Sequence, residues 1–118
     1  MPETKPYIAV VDDEASVRAA LERLCRAHGF DARSFATAHA LVASLTDRRP
    51  DCVILDLQLP DCDGLDADAW LEQQAVILPI IIITGRDDVT PVSGAAVLRK
   101  PVDATTLLAE IERVLEPA

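Results

Sequence analysis

The sequence predicts a single α/β domain built on an open, doubly wound parallel sheet with helices on both faces. Short apolar runs recur along the chain, and stretches with helical spacing lie between them. The runs are continuous and do not alternate with polar residues, which is typical of strands covered on both faces. With 118 residues, half of them hydrophobic, the chain is expected to form one domain over residues 1–118.

Five segments are predicted to be strands. The segment 30–35 partly alternates and is expected to be a more exposed strand. The other four are continuous apolar runs: Tyr7–Val11, Cys52–Leu55, Ile80–Ile83 and Ala95–Leu98. Strands that alternate with helices predict right-handed crossovers and a parallel sheet.

Four stretches between or after these runs have the apolar spacing of helices. Gly29 supplies a stop for the first helix, and Asp103 is placed to cap the last one. The apolar positions are Val17, Leu21, Leu24, Cys25 and His28 for the first; Leu41, Val42 and Leu45 for the second; Leu65, Ala69 and Trp70 for the third; and Leu107, Leu108, Ile111, Val114 and Leu115 for the last.

Composition excludes several classes of function. A formal charge of -9 argues against direct contact of this domain with nucleic acid or an anionic membrane, because phosphate groups would be repelled. We find no apolar stretch long enough to span a membrane and no signal peptide, so a cytoplasmic protein is expected. Three cysteines without a CxxC pair indicate free thiols, the first two in the core.

Polar and charged residues stand at the carboxyl ends of four predicted strands. In an open α/β sheet this edge is where ligands bind. The residues are Asp12, Asp13 and Glu14 after the first strand, Asp56 after the third, Thr84 and Gly85 after the fourth, and Lys100 and Pro101 after the fifth. We therefore expect carboxylates, a hydroxyl and an ammonium group to share one rim.

This set of groups favours phosphoryl chemistry. Crowded carboxylates repel one another unless a cation neutralises them, and Mg²⁺ is commonly held by one or two carboxylates together with phosphate oxygens. A carboxylate can also act as the nucleophile that forms an acyl phosphate. The transfer then needs positioning and charge stabilisation, which a lysine, a hydroxyl and Mg²⁺ can supply.

Taken together, these residues resemble the receiver domain of two-component response regulators. The motifs are Asp12-Asp13, the segment 56–64 that begins with Asp56, Thr84-Gly85, and Lys100-Pro101. No single motif is specific, but all four occur in order, each at a predicted strand end. The resemblance spans essentially the whole chain and implies the flavodoxin-like receiver fold, a five-stranded parallel sheet in the order 2-1-3-4-5.

The resemblance also implies a metal site and a phosphoacceptor. Asp12 and Asp13 would hold Mg²⁺, helped by the carboxylate of Asp56 and the backbone carbonyl of Gln58. Asp56 would accept a phosphoryl group from a sensor histidine kinase or a phosphotransfer protein. Such a domain is a signalling switch and no enzyme in the turnover sense, since its chemistry is limited to self-phosphorylation and slow hydrolysis.

Two further residues at the rim receive roles from the resemblance. Lys100 would contact the phosphoryl oxygens, and Thr84 would move to hydrogen-bond them. The Lys100-Pro101 peptide bond is expected to be cis, as is typical of the family.

The sequence departs from the family pattern in two places. Position 97, three residues before the lysine, commonly carries an aromatic ring in receivers and is Val97 here. The interval from Thr84 to Lys100 is 16 residues (100 minus 84), which is several residues shorter than we expect for the family. Pro91 also opposes a regular helix within this interval. We therefore predict that the fourth helix is short or missing, so that the protein dimerises through an atypical face or remains monomeric.

Four alternatives stay open. The acidic residues 12–14 could merely cap the first helix. The domain could be a phosphorylation-independent pseudo-receiver that acts as a protein-interaction module, which Val97 and the short interval favour. A phosphatase with an aspartate nucleophile is disfavoured because Gln58 stands where its second aspartate is expected. A flavin-binding relative is weaker still, for want of a phosphate-binding loop after the first strand.

Overall fold

The computed structural model of the chain describes residues 5–56, 79–84 and 96–115. These residues form five strands and three helices. The strands are β1 (Tyr7–Val11), β2 (Asp31–Phe35), β3 (Cys52–Asp56), β4 (Ile80–Thr84) and β5 (Ala96–Arg99). The helices are α1 (Ala15–Ala27), α2 (Ala38–Ser44) and α3 (Ala104–Leu115). Each predicted strand is present among the described residues.

The five strands form one parallel sheet in the order β2-β1-β3-β4-β5. This order confirms the predicted fold class. All five residues of β1 are buried, because β1 lies between β2 and β3 and is covered on both faces. β2 and β5 form the edges, and their residues are more exposed.

Helices cover both faces of the sheet. On one face, Ile8, Ile54 and Ile81 belong to a core that also contains Cys25 of α1 and Ile111 of α3. Leu41 of α2 is also buried but lies outside this cluster, and α2 packs against β1 and β2. We infer that α2 covers the opposite face. Within the described residues, no helix is long and apolar enough to cross a membrane.

Two predicted helix ends, at Gly29 and Asp103, are confirmed, and the structure adds a cap at Thr37. Gly29 follows α1 with a φ of 93°, a left-handed conformation that suits glycine. Thr37 caps α2, since its hydroxyl accepts a hydrogen bond from the Ala40 amide at 3.0 Å. Asp103 caps α3 in the same way through the Thr106 amide, also at 3.0 Å.

Other predictions concern residues that the structure does not describe. The third helix, expected around Leu65, Ala69 and Trp70, lies outside the described ranges. So does the segment 86–93, where the fourth helix is predicted to be short or missing. Both stay predictions, as does the mode of dimerisation that depends on the second.

The two described cysteines are buried free thiols, as predicted. Burial raises the pKa of Cys25 to about 11 and that of Cys52 to about 12. Both thiols are therefore protonated at neutral pH and unreactive, because the thiolate is the nucleophile. Cys62 lies outside the described residues.

A network of polar contacts closes the amino end of the sheet. The Tyr7 amide donates to Oδ2 of Asp51 at 2.8 Å, and the Asp51 amide donates to the Tyr7 carbonyl at 2.8 Å. Arg48 forms an ion pair with Asp31 at 2.7 Å, and its guanidinium carbon lies 4.4 Å from the centre of the Tyr7 ring. These contacts tie β1, β2 and the segment before β3 together.

Candidate functional site

The strand register places Asp12 beside Asp56. β1 and β3 pair in parallel with Val11 opposite Leu55, so the next residues, Asp12 and Asp56, stand at the same level on neighbouring strands. Neighbouring strands are about 4.8 Å apart. The two predicted acidic positions therefore meet at the carboxyl edge of the sheet, although 44 residues (56 minus 12) separate them in sequence.

The register of the next two strands extends this rim. Asp56 pairs with Ile83 of β4, and Thr84 pairs with Arg99 of β5. Thr84 is thus the residue after the partner of Asp56, and Lys100 is the residue after the partner of Thr84. The backbone brings these positions to one edge as predicted, whereas the side chains of Asp56 and Thr84 are outside the described part of the structure.

Asp12 is held firmly at this edge. Its side chain is buried, with 5% exposure. Its amide donates to the Phe35 carbonyl at 3.1 Å, and its Oδ1 accepts a hydrogen bond from the Glu14 amide at 2.9 Å. Its carbonyl oxygen accepts a hydrogen bond from Nη1 of Arg18 at 2.8 Å. Backbone and side chain are therefore fixed together, which is how a preorganised ligand site is built.

Asp12 and Lys100 line one cavity of about 620 Å³. The walls are partly apolar and come from α1, the end of β4 and the segment after β5; Val17, Ile83 and Val102 are among them. Asp13 follows Asp12 in sequence and is exposed. A buried carboxylate and a lysine therefore face an opening large enough for a small ligand.

The acidic residues are not explained by helix capping. α1 begins at Ala15, and its N-cap residue Glu14 makes no side-chain capping hydrogen bond within the described residues. The carboxylate of Asp12 bonds to the amide of Glu14, before the helix starts. The Asp12 carboxylate therefore bonds within the loop, and Glu14 does not cap the helix through its side chain.

The described acidic groups fit a magnesium site in part. Asp12 and Asp13 supply two adjacent carboxylates, and Mg²⁺ is usually held by one or two carboxylates with water in the remaining positions. Among the side chains that the structure describes, no group of three or more His, Cys, Asp or Glu residues gathers as metal ligands. Gln58 and the carboxylate of Asp56, the other predicted ligands, lie outside that set, so the metal stays a prediction.

Two further expectations concern β5 and the residues after it. The Lys100-Pro101 peptide bond is cis, as predicted. Val97 lies within β5, is half-buried and pairs with Ile82 of β4. The strand therefore carries a short branched side chain at the position where the family commonly has a ring.

Comparison with known families matches residues 8–112 to the response regulator receiver domain. The chain belongs to this family. The receiver domain is 34% identical over 117 residues to the DNA-binding transcriptional regulator NtrC of Proteus hauseri, covering 94% of this chain and 25% of that protein. It is 35% identical over 111 residues to nodulation protein W of Bradyrhizobium diazoefficiens, covering 89% of this chain and 49% of that protein.

Solved structures agree with this assignment. Full-length FixJ from B. japonicum matches with a TM-score of 0.82 and 32% identity, covering 96% of this chain and 59% of that one. A response regulator receiver protein from Burkholderia phymatum matches with a TM-score of 0.77 and 35% identity, covering 97% and 98%. This chain spans about a quarter to a half of the curated relatives named above. Receiver domains as a family interact with histidine kinases.

Sequence reasoning missed Arg18. An arginine on a helix is usually a solvated charge, and a hydrogen bond to a backbone carbonyl leaves no pattern in the sequence. One signal was available: Arg18 lies four residues after the N-cap Glu14 and therefore one turn into α1. This places it one turn from the acidic loop, residues 12–14, which directly precedes the helix. Long side chains on a helix lean toward its amino end, which is toward Asp12.

Proposed function

We propose that this receiver domain is a phosphorylation-controlled signalling switch of a two-component system. Asp56 accepts a phosphoryl group from a sensor histidine kinase or a phosphotransfer protein, and the phosphorylated domain changes its partner interactions. The observation that carries the proposal is the register that brings Asp12 and Asp56 to one level, with Asp12 and Lys100 lining the same cavity. A cytoplasmic location follows from the same proposal.

The reaction is a single displacement at phosphorus. A carboxylate oxygen of Asp56 attacks the phosphorus of a phosphohistidine, the P–N bond breaks and the imidazole leaves, so an acyl phosphate forms on Asp56. Lys100 neutralises the charge on the phosphoryl oxygens, and the hydroxyl of Thr84 donates a hydrogen bond to one of them. Hydrolysis of the acyl phosphate later resets the domain, so turnover of an external substrate is not part of its role.

Asp12, Asp13, Asp56 and the carbonyl of Gln58 would hold Mg²⁺ in this site. When bound, Mg²⁺ neutralises charge on the phosphoryl oxygens and on the crowded carboxylates. The contribution of this chain is orientation: Asp12 is buried and held at its amide, its Oδ1 and its carbonyl. Asp13 follows it into solvent, where an ion can reach it.

The test is phosphorylation of the purified chain by a small phosphodonor. With acetyl phosphate and Mg²⁺, intact-mass spectrometry should show the gain of one phosphoryl group. Asp56→Asn should show no gain, and EDTA should abolish the gain in the wild type. Asp47→Asn is the matched control, because Asp47 is an exposed aspartate in the segment between α2 and β3, and this variant should be phosphorylated like the wild type.

A second function is favoured by Val97. A valine cannot rotate between buried and exposed positions as an aromatic ring does, so a phosphorylation-independent interaction module remains the alternative. The same experiment separates the two functions. A wild type that binds Mg²⁺ but never gains phosphoryl mass would support the interaction module and defeat the switch.

A further inference from the structure

The side chain of Arg18 joins α1 to the acidic loop. Its Nη1 donates a hydrogen bond of 2.8 Å to the carbonyl oxygen of Asp12, and the contact is partly buried. The amide of Arg18 donates to the Glu14 carbonyl at 3.0 Å, so the residue is anchored in the first turn of the helix. The loop is therefore tied to a rigid element through one guanidinium group.

The acceptor of this hydrogen bond, the Asp12 carbonyl, lies in the peptide bond between the two acidic residues. The carbonyl of Asp12 and the amide of Asp13 belong to the same planar peptide unit. A bond to that carbonyl oxygen therefore orients the plane from which the Asp13 backbone continues. The carboxylate of Asp12 is fixed separately by the Glu14 amide. Arg18 therefore holds the peptide plane that links the first acid to the second.

We propose that Arg18 is a positioning residue for the divalent-cation site, acting through the peptide unit that links Asp12 to Asp13. This inference rests on the proposed function, since it assumes that the acidic pair holds the metal. Arginine suits the task because its planar group has several donors in a fixed arrangement, and a charged donor makes a strong hydrogen bond to a carbonyl.

The charge of Arg18 has the opposite effect on the metal. A guanidinium group close to the acidic pair repels a divalent cation, so removal of the charge alone would strengthen metal binding. Loss of the hydrogen bond from Arg18 to the Asp12 carbonyl would weaken metal binding. The sign of the change in affinity therefore distinguishes a positioning residue from a nearby charge.

The experiment measures Mn²⁺ affinity by electron paramagnetic resonance, which counts the free ion. Arg18→Met should bind Mn²⁺ about 10-fold more weakly than the wild type, the size of effect typical for groups that orient metal ligands. Arg18→Lys keeps the charge and a donor, and it should bind within about 3-fold of the wild type. The matched control Arg23→Met removes the same charge from an exposed position on α1 and should stay within about 2-fold.

Phosphorylation kinetics give a second readout. In Arg18→Met the Mg²⁺ concentration at half-maximal rate should rise about 10-fold, while the rate at saturating Mg²⁺ should stay within about 2-fold. Thermal melting without metal establishes that each variant is folded. Should Arg18→Met be unfolded, Arg18→Gln, which is also neutral, takes its place in the same comparison.

The outcomes separate this inference from the proposed function. Equal or tighter Mn²⁺ binding by the neutral variant would overturn the role of Arg18 and leave the metal site standing. Failure of the wild type to bind Mn²⁺ would overturn the metal site itself, and the role of Arg18 with it. Weaker binding by Arg18→Met with an unchanged Arg23→Met supports the proposal.

Discussion

Carboxylates are arranged differently at the two ends of the sheet. At the amino end, carboxylates meet opposite charges or amide donors: Asp31 pairs with Arg48, and Asp51 accepts the amide of Tyr7. At the carboxyl end, Asp12 accepts the amide of Glu14, but a second acid, Asp13, is adjacent to it and the register adds Asp56 at the same level. Charges that are matched in pairs stabilise a fold, whereas acids gathered together cost stability and are typical of a site that binds cations.

The largest effect that tests this contrast is expected from Asp13→Asn. Loss of one carboxylate proposed to hold Mg²⁺ should lower Mg²⁺-dependent phosphorylation by at least about 100-fold, because groups that only orient metal ligands already cost about 10- to 100-fold. The melting temperature without metal should stay equal or rise, because repulsion between adjacent acids is relieved. Mass spectrometry and thermal melting in low salt measure the two quantities.

The same variant also gives the outcome that would break the contrast. If Asp13→Asn lost stability while it kept normal phosphorylation, the carboxyl rim would be a structural cluster like the amino end. Asp47→Asn is the control for loss of a single surface carboxylate, and we expect both of its values to match the wild type.

An effect of intermediate size, on stability, is expected from Arg48→Ala at the amino end of the sheet. This change removes the ion pair with Asp31, the stacking on Tyr7 and a hydrogen bond to the Lys5 carbonyl. The free energy of unfolding should fall by about 1–2 kcal/mol, measured by urea titration. Phosphorylation should be unchanged, and an unaltered stability would contradict a structural role for this end.

Arg23→Ala is the control for the loss of one positive charge, since Arg23 is an exposed arginine on α1. Its free energy of unfolding should stay within about 0.5 kcal/mol of the wild type, as for most surface changes. A drop as large as that of Arg48→Ala would mean that the loss of any positive charge, and not the loss of the Arg48 contacts, lowers the stability.

The smallest effect concerns pH. The hydrogen bond from Arg48 holds the pKa of the Asp31 carboxyl below its ordinary value of 3.8, with further help from the charges of Lys5 and Arg26. A carboxyl with a lowered pKa contributes stability above its unfolded pKa and loses it as the pH falls through the folded value. The stability gap between the wild type and Asp31→Asn should therefore be constant from about pH 5 to 8 and close below about pH 4.

Melting temperatures across this pH range measure the gap. The pair is exposed, so added salt should narrow the gap as well. A gap that widens as the pH falls would show that the charge of Asp31 is unfavourable in the folded state, and that its pairing with Arg48 is only apparent.

Much of the fold could be predicted from the sequence because its signals are local. Continuous apolar runs mark β1, β3 and β4, and the rule that ligands bind at the carboxyl ends of strands leads from those runs to Asp12, Asp56 and Lys100. The cis peptide bond before Pro101 was predicted from the family resemblance. The roles of Asp56, Thr84 and Gln58 and the metal itself stay predictions, because those side chains lie outside the described part of the structure.

Contacts between distant segments could not be predicted in the same way. The stacking of Arg48 on Tyr7 joins residues far apart in sequence and depends on how a side chain crosses from one segment to another. The bond from Arg18 to the Asp12 carbonyl uses a backbone acceptor that every residue possesses, so the sequence indicates only that Arg18 lies one turn into α1 and does not identify its partner. Such contacts follow from the packing of the folded chain.

The parallel sheet has one more consequence, for the time at which the chain can first signal. Asp12 directly follows β1, and Lys100 follows β5, which is synthesised after the other four described strands. A nascent or truncated polypeptide that lacks β5 has the acids but no lysine at the rim. A kinase that requires the complete rim would therefore pass phosphate only to molecules in which β5 has joined the sheet.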